Sequence, residues 1–169
     1  MVLELPSKEM ESMNLSDSLI HQLLDKMPIA RFAVTRADRI AEAMPIVFAR
    51  VGTQIFSPID GKPKKTVDLD RLTHIAEKPE STLLLDHYER DWSRLWWLRL
   101  DVRAVVCSDS HSNWCEAVDR LREKYPQYGS IPLFKGTPTM IVMDWSRIRS
   151  WAFDGVEGVQ SWLSNTIEQ

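Results

Sequence analysis

"AEAMPIVFARVGTQIFSP" (residues 41–58) alternates in polarity, turns once and returns. Met44, Ile46 and Phe48 fall on one side of an extended chain and Val47 and Ala49 on the other, the period-two pattern of a strand with a buried face. Gly52 marks a hairpin turn, after which "QIFSP" runs back as a further strand. Pro45 has no N–H to give a neighbouring strand, which places this strand at a sheet edge or a bulge.

Working outward, "IARFAVT" (29–35) is another short apolar strand. Before it, "LSDSLIHQLLDKMP" (15–28) reads as a helix, with Ser16 as N-cap and one apolar stripe of Leu19, Ile20, Leu23, Leu24 and Met27. Pro28 stops it. Downstream, a short helix is expected from about Asp68 to Glu77, capped by Asp68, with Leu69, Leu72 and Ile75 at helical spacing. "STLLLDHYE" (81–89) and "SRLWWLRLDVRAVVCS" (93–108) follow as strands. In the second, Arg94, Trp96, Leu98 and Leu100 point one way and Leu95, Trp97 and Arg99 the other, so both faces should pack against something. "HSNWCEAVDRLREKYPQY" (111–128) is an amphipathic helix with Trp114, Val118, Leu121 and Tyr125 inward. "TPTMIVMDWSRIRSW" (137–151) supplies the last strand, and the tail a weak final helix. Six strands with hairpin spacing and helices at the edges predict a mainly β domain, closed as a small antiparallel barrel or a strongly curved sheet. No repeat or linker divides the chain, so 1–169 is read as one domain.

Composition narrows the function. The chain has 169 residues, 44% apolar and 27% charged, enough for one real core. Lysines and arginines number 21 against 24 acids, a net charge of −3, which argues against a nucleic-acid-binding module. No apolar run approaches the ~18 residues of a membrane span. The stretch "MVLELPSKEMESMNL" lacks a secretory core. Cys107 and Cys115 are too few for a disulfide framework and too far apart for a typical metal pair, so reduced thiols in a cytoplasmic protein and no metal are expected.

Two stretches could carry chemistry. "DGKPKK" (60–65) gathers Lys62, Lys64 and Lys65 around Pro63, ahead of a helix. Lysine ammonium groups and free helix amides suit a phosphate, although a charged turn kept in water fits the spacing as well. No Walker-type or GxGxxG loop is present. "DWSRLWWLRL" (91–100) could wall a flat heterocycle, form a subunit interface or simply pack a core. Its Arg94 and Arg99 call for a carboxylate, a phosphate or an aromatic face. His74 and His87 belong to no recognisable triad or metal motif, and nothing in the spacing of Asp86, Glu89 and Asp91 demands a paired-carboxylate mechanism. No catalytic residue can be named.

The run from Pro45 to Val106, above all "KPKK" and "DHYERDWSRLWWLR", resembles the pyridoxamine 5'-phosphate oxidase-like, FMN-binding split β-barrel superfamily, in particular its probable F-420 (deazaflavin)-dependent branch. The likeness covers about residues 17–151, leaving 152–169 as a C-terminal extension. It implies a six-stranded antiparallel split barrel and a homodimer holding FMN or F-420 in clefts between the protomers. The activity it implies is an oxidoreductase moving hydride to or from a small organic molecule; the alternative is a non-catalytic flavin- or haem-binding protein. On the same resemblance Ser57, Lys62, Lys64 and Lys65 hold the cofactor phosphate, and Trp97 and Trp151 wall the cleft. The chain departs from the family at "TRADRIAEAMP", which has no glycine in its turn and places Ala43 and Met44 before Pro45. It also lacks the full arginine pattern of the vitamin-phosphate oxidases, so pyridoxamine phosphate is not the expected substrate.

Overall fold

A computed structural model describes residues 15–60, 69–134 and 136–166. Helix α1 (Asp17–Lys26) begins where the Ser16 side chain accepts the Leu19 amide, and it ends at Met27. Its stripe of Leu19, Ile20, Leu23 and Leu24 is buried, each such side chain contributing on the order of 1.5–3 kcal/mol.

Strands β1 (Ala30–Thr35), β2 (Ala41–Ile46), β3 (Ala49–Val51) and β4 (Gln54–Pro58) precede helix α2 (Leu69–Glu77). Then come β5 (Glu80–His87), a 3-10 turn (Trp92–Arg94), β6 (Trp96–Cys107), α3 (Trp114–Lys124), a second 3-10 turn (Pro126–Gly129), β7 (Met140–Ala152) and α4 (Gly155–Thr166). All seven strands belong to one antiparallel sheet in the order β2-β1-β5-β6-β7-β4-β3.

The sequence reading expected six strands; the described residues form seven because residues 41–51 divide. Residues 41–46 pair with β1, whereas 49–51 pair with β4. The two pieces lie at opposite ends of the sheet order yet are separated only by Val47 and Phe48. From Ile46 to Ala49 is three residue steps, no more than ~11 Å, so the sheet has to curl until its edges nearly meet. This is the half-closed barrel. Pro45 sits on the outermost strand, where its missing N–H costs nothing.

The junction is secured from α3. The Phe48 amide donates to the Tyr125 hydroxyl at 3.0 Å, and that hydroxyl lies 2.9 Å from the Phe48 carbonyl and 3.0 Å from the Pro28 carbonyl. A residue between two strands loses its ladder partners, and here a tyrosine replaces them. Burial pushes the Tyr125 pKa up to about 12, so the hydroxyl keeps its proton.

Two apolar clusters fill the fold. One lies inside the barrel, with Phe32, Ile55, Leu83, Leu98, Leu100 and Met143 packed against α1 and against Val159, Trp162 and Leu163 of α4. The other lies under α3, with Phe56, Trp114, Leu121, Met140 and Val142. Neighbouring residues of β4 and β7 therefore face different clusters. The first half of β6 differs: Trp96, Leu98 and Leu100 are buried, while Trp97 and Arg99 face outward, half-buried. Arg94, expected in this strand, lies in the 3-10 turn before it and pairs with Glu89 at 3.1 Å.

The turn between β1 and β2, which lacks glycine, puts Arg39 in the left-handed region (φ 67). The Asp38 carboxylate steadies it by accepting the Ile40 amide and the Arg36 guanidinium.

Candidate functional site

Strand β4 delivers Ser57 to the inner side of the sheet, only 3% exposed, paired in register with Ile141. Beyond Pro58, Asp60 is 4% exposed and accepts the Tyr128 hydroxyl at 2.9 Å. Helix α2 contributes Arg71, 6% exposed, whose Nη1 lies 3.1 Å from the Met44 sulfur. Ser57, Asp60 and Arg71 line one cavity of about 340 Å³, together with Ile29, Pro45, Ile46, Val47 and Pro58. A second cavity of about 280 Å³ shares Ile29 and Val47 as walls and is otherwise lined by Pro28, Tyr125, Gln127, Tyr128 and Ile131. The two cavities share the Ile29 and Val47 walls, the first with Ser57, Asp60 and Arg71 in its lining and the second mainly apolar. Burial, reinforced by the Asp60 charge, pushes the Tyr128 pKa far up, so Tyr128 stays a hydrogen-bond donor.

Lys62, Lys64 and Lys65 lie outside the described residues, as does the expected cap Asp68. Among the described residues, Arg71 is the cation that sequence reasoning missed. On the expected helix Leu69, Leu72 and Ile75 carry the periodic signal, and nothing in the spacing marks Arg71. Only the packing of α2 against β1 and β6 turns it toward Ser57.

Trp97 and Trp151 are register partners on β6 and β7, half-buried on the outer face of the sheet. Trp97 lines a separate cavity of about 470 Å³ with Leu84, Asp86, Tyr88 and Arg99. Ser57 is registered with Ile141, ten positions along β7 from Trp151. At ~3.3 Å per residue this is roughly 30 Å of strand. Within one chain the expected residues therefore fall into two groups, one inside the curl of the sheet and one outside it.

Burial pushes the Cys107 thiol up, away from the thiolate form. Among the described residues, no group of three or more His, Cys, Asp or Glu side chains could hold a metal ion, and no helix is long and apolar enough to cross a membrane.

No protein-family model and no curated protein matches the chain significantly. Solved structures do. A structure from Listeria innocua named "Putative Pyridoxamine 5'-phosphate oxidase" aligns with TM-score 0.55 at 14% identity over 79% of this chain and 95% of that one. The chain has the pyridoxamine 5'-phosphate oxidase-like split-barrel fold. HutZ, the haem storage protein of Vibrio cholerae, shares this split barrel with TM-score 0.61 at 11% identity, covering 80% of this chain and 93% of that one. An F420 reductase aligns with TM-score 0.56 at 15% identity, covering 76% and 94%. Identities this low speak for the fold alone, and the split barrel agrees with the resemblance carried by "KPKK" and "DHYERDWSRLWWLR".

Proposed function

We propose that this chain is a flavin- or deazaflavin-dependent oxidoreductase that binds FMN or F-420 between two copies of itself and acts on a small organic substrate in the cytoplasm. The observation that carries this reading is the cavity of Ser57 and Arg71. A buried hydroxyl and a buried guanidinium form the donor set that a phosphate dianion needs, and the lysine-bearing segment follows Asp60 directly in sequence. Asp60, the one carboxylate among the described residues of the lining, accepts the Tyr128 hydroxyl. The residues therefore fit the phosphate of either cofactor: Ser57 and Arg71 hold it, with Lys62, Lys64 and Lys65 as further ligands.

The separation of the two groups of residues supports a shared cleft. Ser57 of one copy and Trp97 with Trp151 of another can meet on one ligand, whereas roughly 30 Å of strand divides them in a single chain. In such a cleft the tryptophans wall the flat ring and exclude water from it. When bound, the cofactor supplies the hydride chemistry, while the protein binds and orients. The two cysteines are free thiols, which suits the cytoplasm.

Side-by-side equilibrium titration with FMN and F-420 tests this reading. One of them should bind tightly, Arg71→Gln should weaken it about 10-fold or more, and Lys64→Ala with Lys65→Ala roughly 100-fold. Binding of neither would overturn it. The haem storage protein of the same fold favours a second reading, a non-catalytic flavin- or haem-binding protein. A bound flavin that no small molecule can reduce or reoxidise would select that reading.

A further inference from the structure

Three neighbouring rows on the outer face of β1, β5, β6 and β7 carry more arginines than acids. Register places Arg31, Leu84, Arg99 and Arg149 in one row across β1, β5, β6 and β7. Thr82, Asp101 and Arg147 form a flanking row, and Asp86, Trp97 and Trp151 the other. Four arginines thus stand against two aspartates in a chain whose net charge is −3. Arg99 and Arg149 are direct cross-strand partners, and like charges placed so destabilise a sheet.

Asp86 is occupied, its Oδ1 accepting Arg31 Nε at 2.9 Å. Arg99 is not served as well. Its Nε is buried without a hydrogen-bond partner, and the Asp101 carboxylate stands 3.9 Å away, beyond hydrogen-bonding distance. A buried N–H of a cation without an acceptor is costly unless something else supplies one. Around it lies the cavity of about 470 Å³, with Leu84 as an apolar floor and Trp97 and Tyr88 as aromatic walls.

We infer that this face binds an organic oxyanion, with a flat apolar body against Trp97 and its carboxylate or phosphate on Arg99, with Arg149 adding to the field. As a substrate pocket it presupposes the shared cofactor cleft proposed above, and it would make the substrate a flat organic acid. The anion binding itself presupposes only the single chain. The phosphate end at Ser57 and Arg71 lies too far along β7 to be the same anion site in one chain.

The test is a titration of the full chain with 1-naphthoate, and with the uncharged 1-naphthamide, following tryptophan fluorescence, with and without FMN. The acid should bind at least about 10-fold tighter than the amide. Arg99→Gln should abolish that preference, Arg99→Lys should keep most of it, and Arg94→Gln, whose guanidinium is held by Glu89 outside the cavity, should leave it intact. Equal affinity for acid and amide, or an Arg99→Gln protein that retains the preference, overturns the proposal. So does a chain that ignores 1-naphthoate while Arg99→Gln splits a dimer, since the guanidinium would then serve a second copy. Should Arg99→Gln fail to fold, Arg149→Gln carries the same test with a loss of a few fold. Selective 1-naphthoate binding without FMN or F-420 binding would leave this inference standing and remove the cofactor reading. Cofactor binding without acid selectivity would do the reverse.

Discussion

At the residue scale, Lys124 has an environment unusual for a surface-helix lysine. Its Nζ donates to the Leu24 carbonyl at 2.9 Å and sits 3.8 Å above the centre of the Phe48 ring. Burial lowers its pKa to about 7, opposed by the nearby Asp25 carboxylate. The unfolded chain, with an ordinary lysine pKa near 10.5, therefore holds more protons than the folded one between about pH 7 and 10.5. Stability has to rise with pH across that window and lose the gain as pH falls toward 7. Urea denaturation at pH 7 and pH 9.5 should show wild type gaining about 1–3 kcal/mol relative to Lys124→Met over the interval. Parallel pH profiles for the two proteins would mean that the cation–π contact and Asp25 hold the ammonium charged throughout. Lysine at position 124 is plain in the sequence, but its burial is not, because α1 and Phe48 reach it across some 75–100 residues of chain.

At the scale of elements, the decisive feature is the division of residues 41–51 into β2 and β3. Alternation of Met44, Ile46 and Phe48 describes a strand but not its partners, and the run was therefore read as one strand. Tyr125 makes the division affordable by satisfying the Phe48 backbone. Tyr125→Phe keeps the ring and removes the hydroxyl, leaving the buried backbone groups of Phe48 short of partners. A loss of about 1–3 kcal/mol is expected, read as a lower denaturation midpoint with an unchanged slope. A midpoint equal to wild type would show that water replaces the hydroxyl. The other elements were legible in the sequence because their signals are local. Ser16 caps α1 as expected, Gly52 turns β3 into β4 with φ 57, and Trp114, Leu121 and Tyr125 form the inward face and end of α3.

For the whole molecule, the proposal of a shared cleft makes a forecast about mass. The 19.6 kDa chain should scatter light as a particle of twice that mass at micromolar concentration. A stable monomer would undo the pairing of Ser57 with Trp97 and Trp151 across two copies, and with it the wall assigned to the tryptophans. Exposed Tyr88 and half-buried Trp97 and Trp151 on one face are the kind of aromatic surface that a cleft between two copies would enclose around a ligand.

The sequence by itself determined what depends on near neighbours: the capped helices, the alternating strands, the hairpin at Gly52, the mild acidity and the lysine-rich segment after β4. It also carried the split-barrel resemblance, in "KPKK" and "DHYERDWSRLWWLR". Only the tertiary structure decided the seventh strand, the turning of Arg71 toward Ser57, the row that sets Arg99 beside Arg149, and the separation of Ser57 from Trp97 and Trp151. Arg71 depends on how α2 packs against β1 and β6, and the others on which strand pairs with which, and in what register. A one-residue slip would send every side chain of a strand to the opposite face. Periodicity along the chain carries no information on that choice, which the packing of distant segments makes.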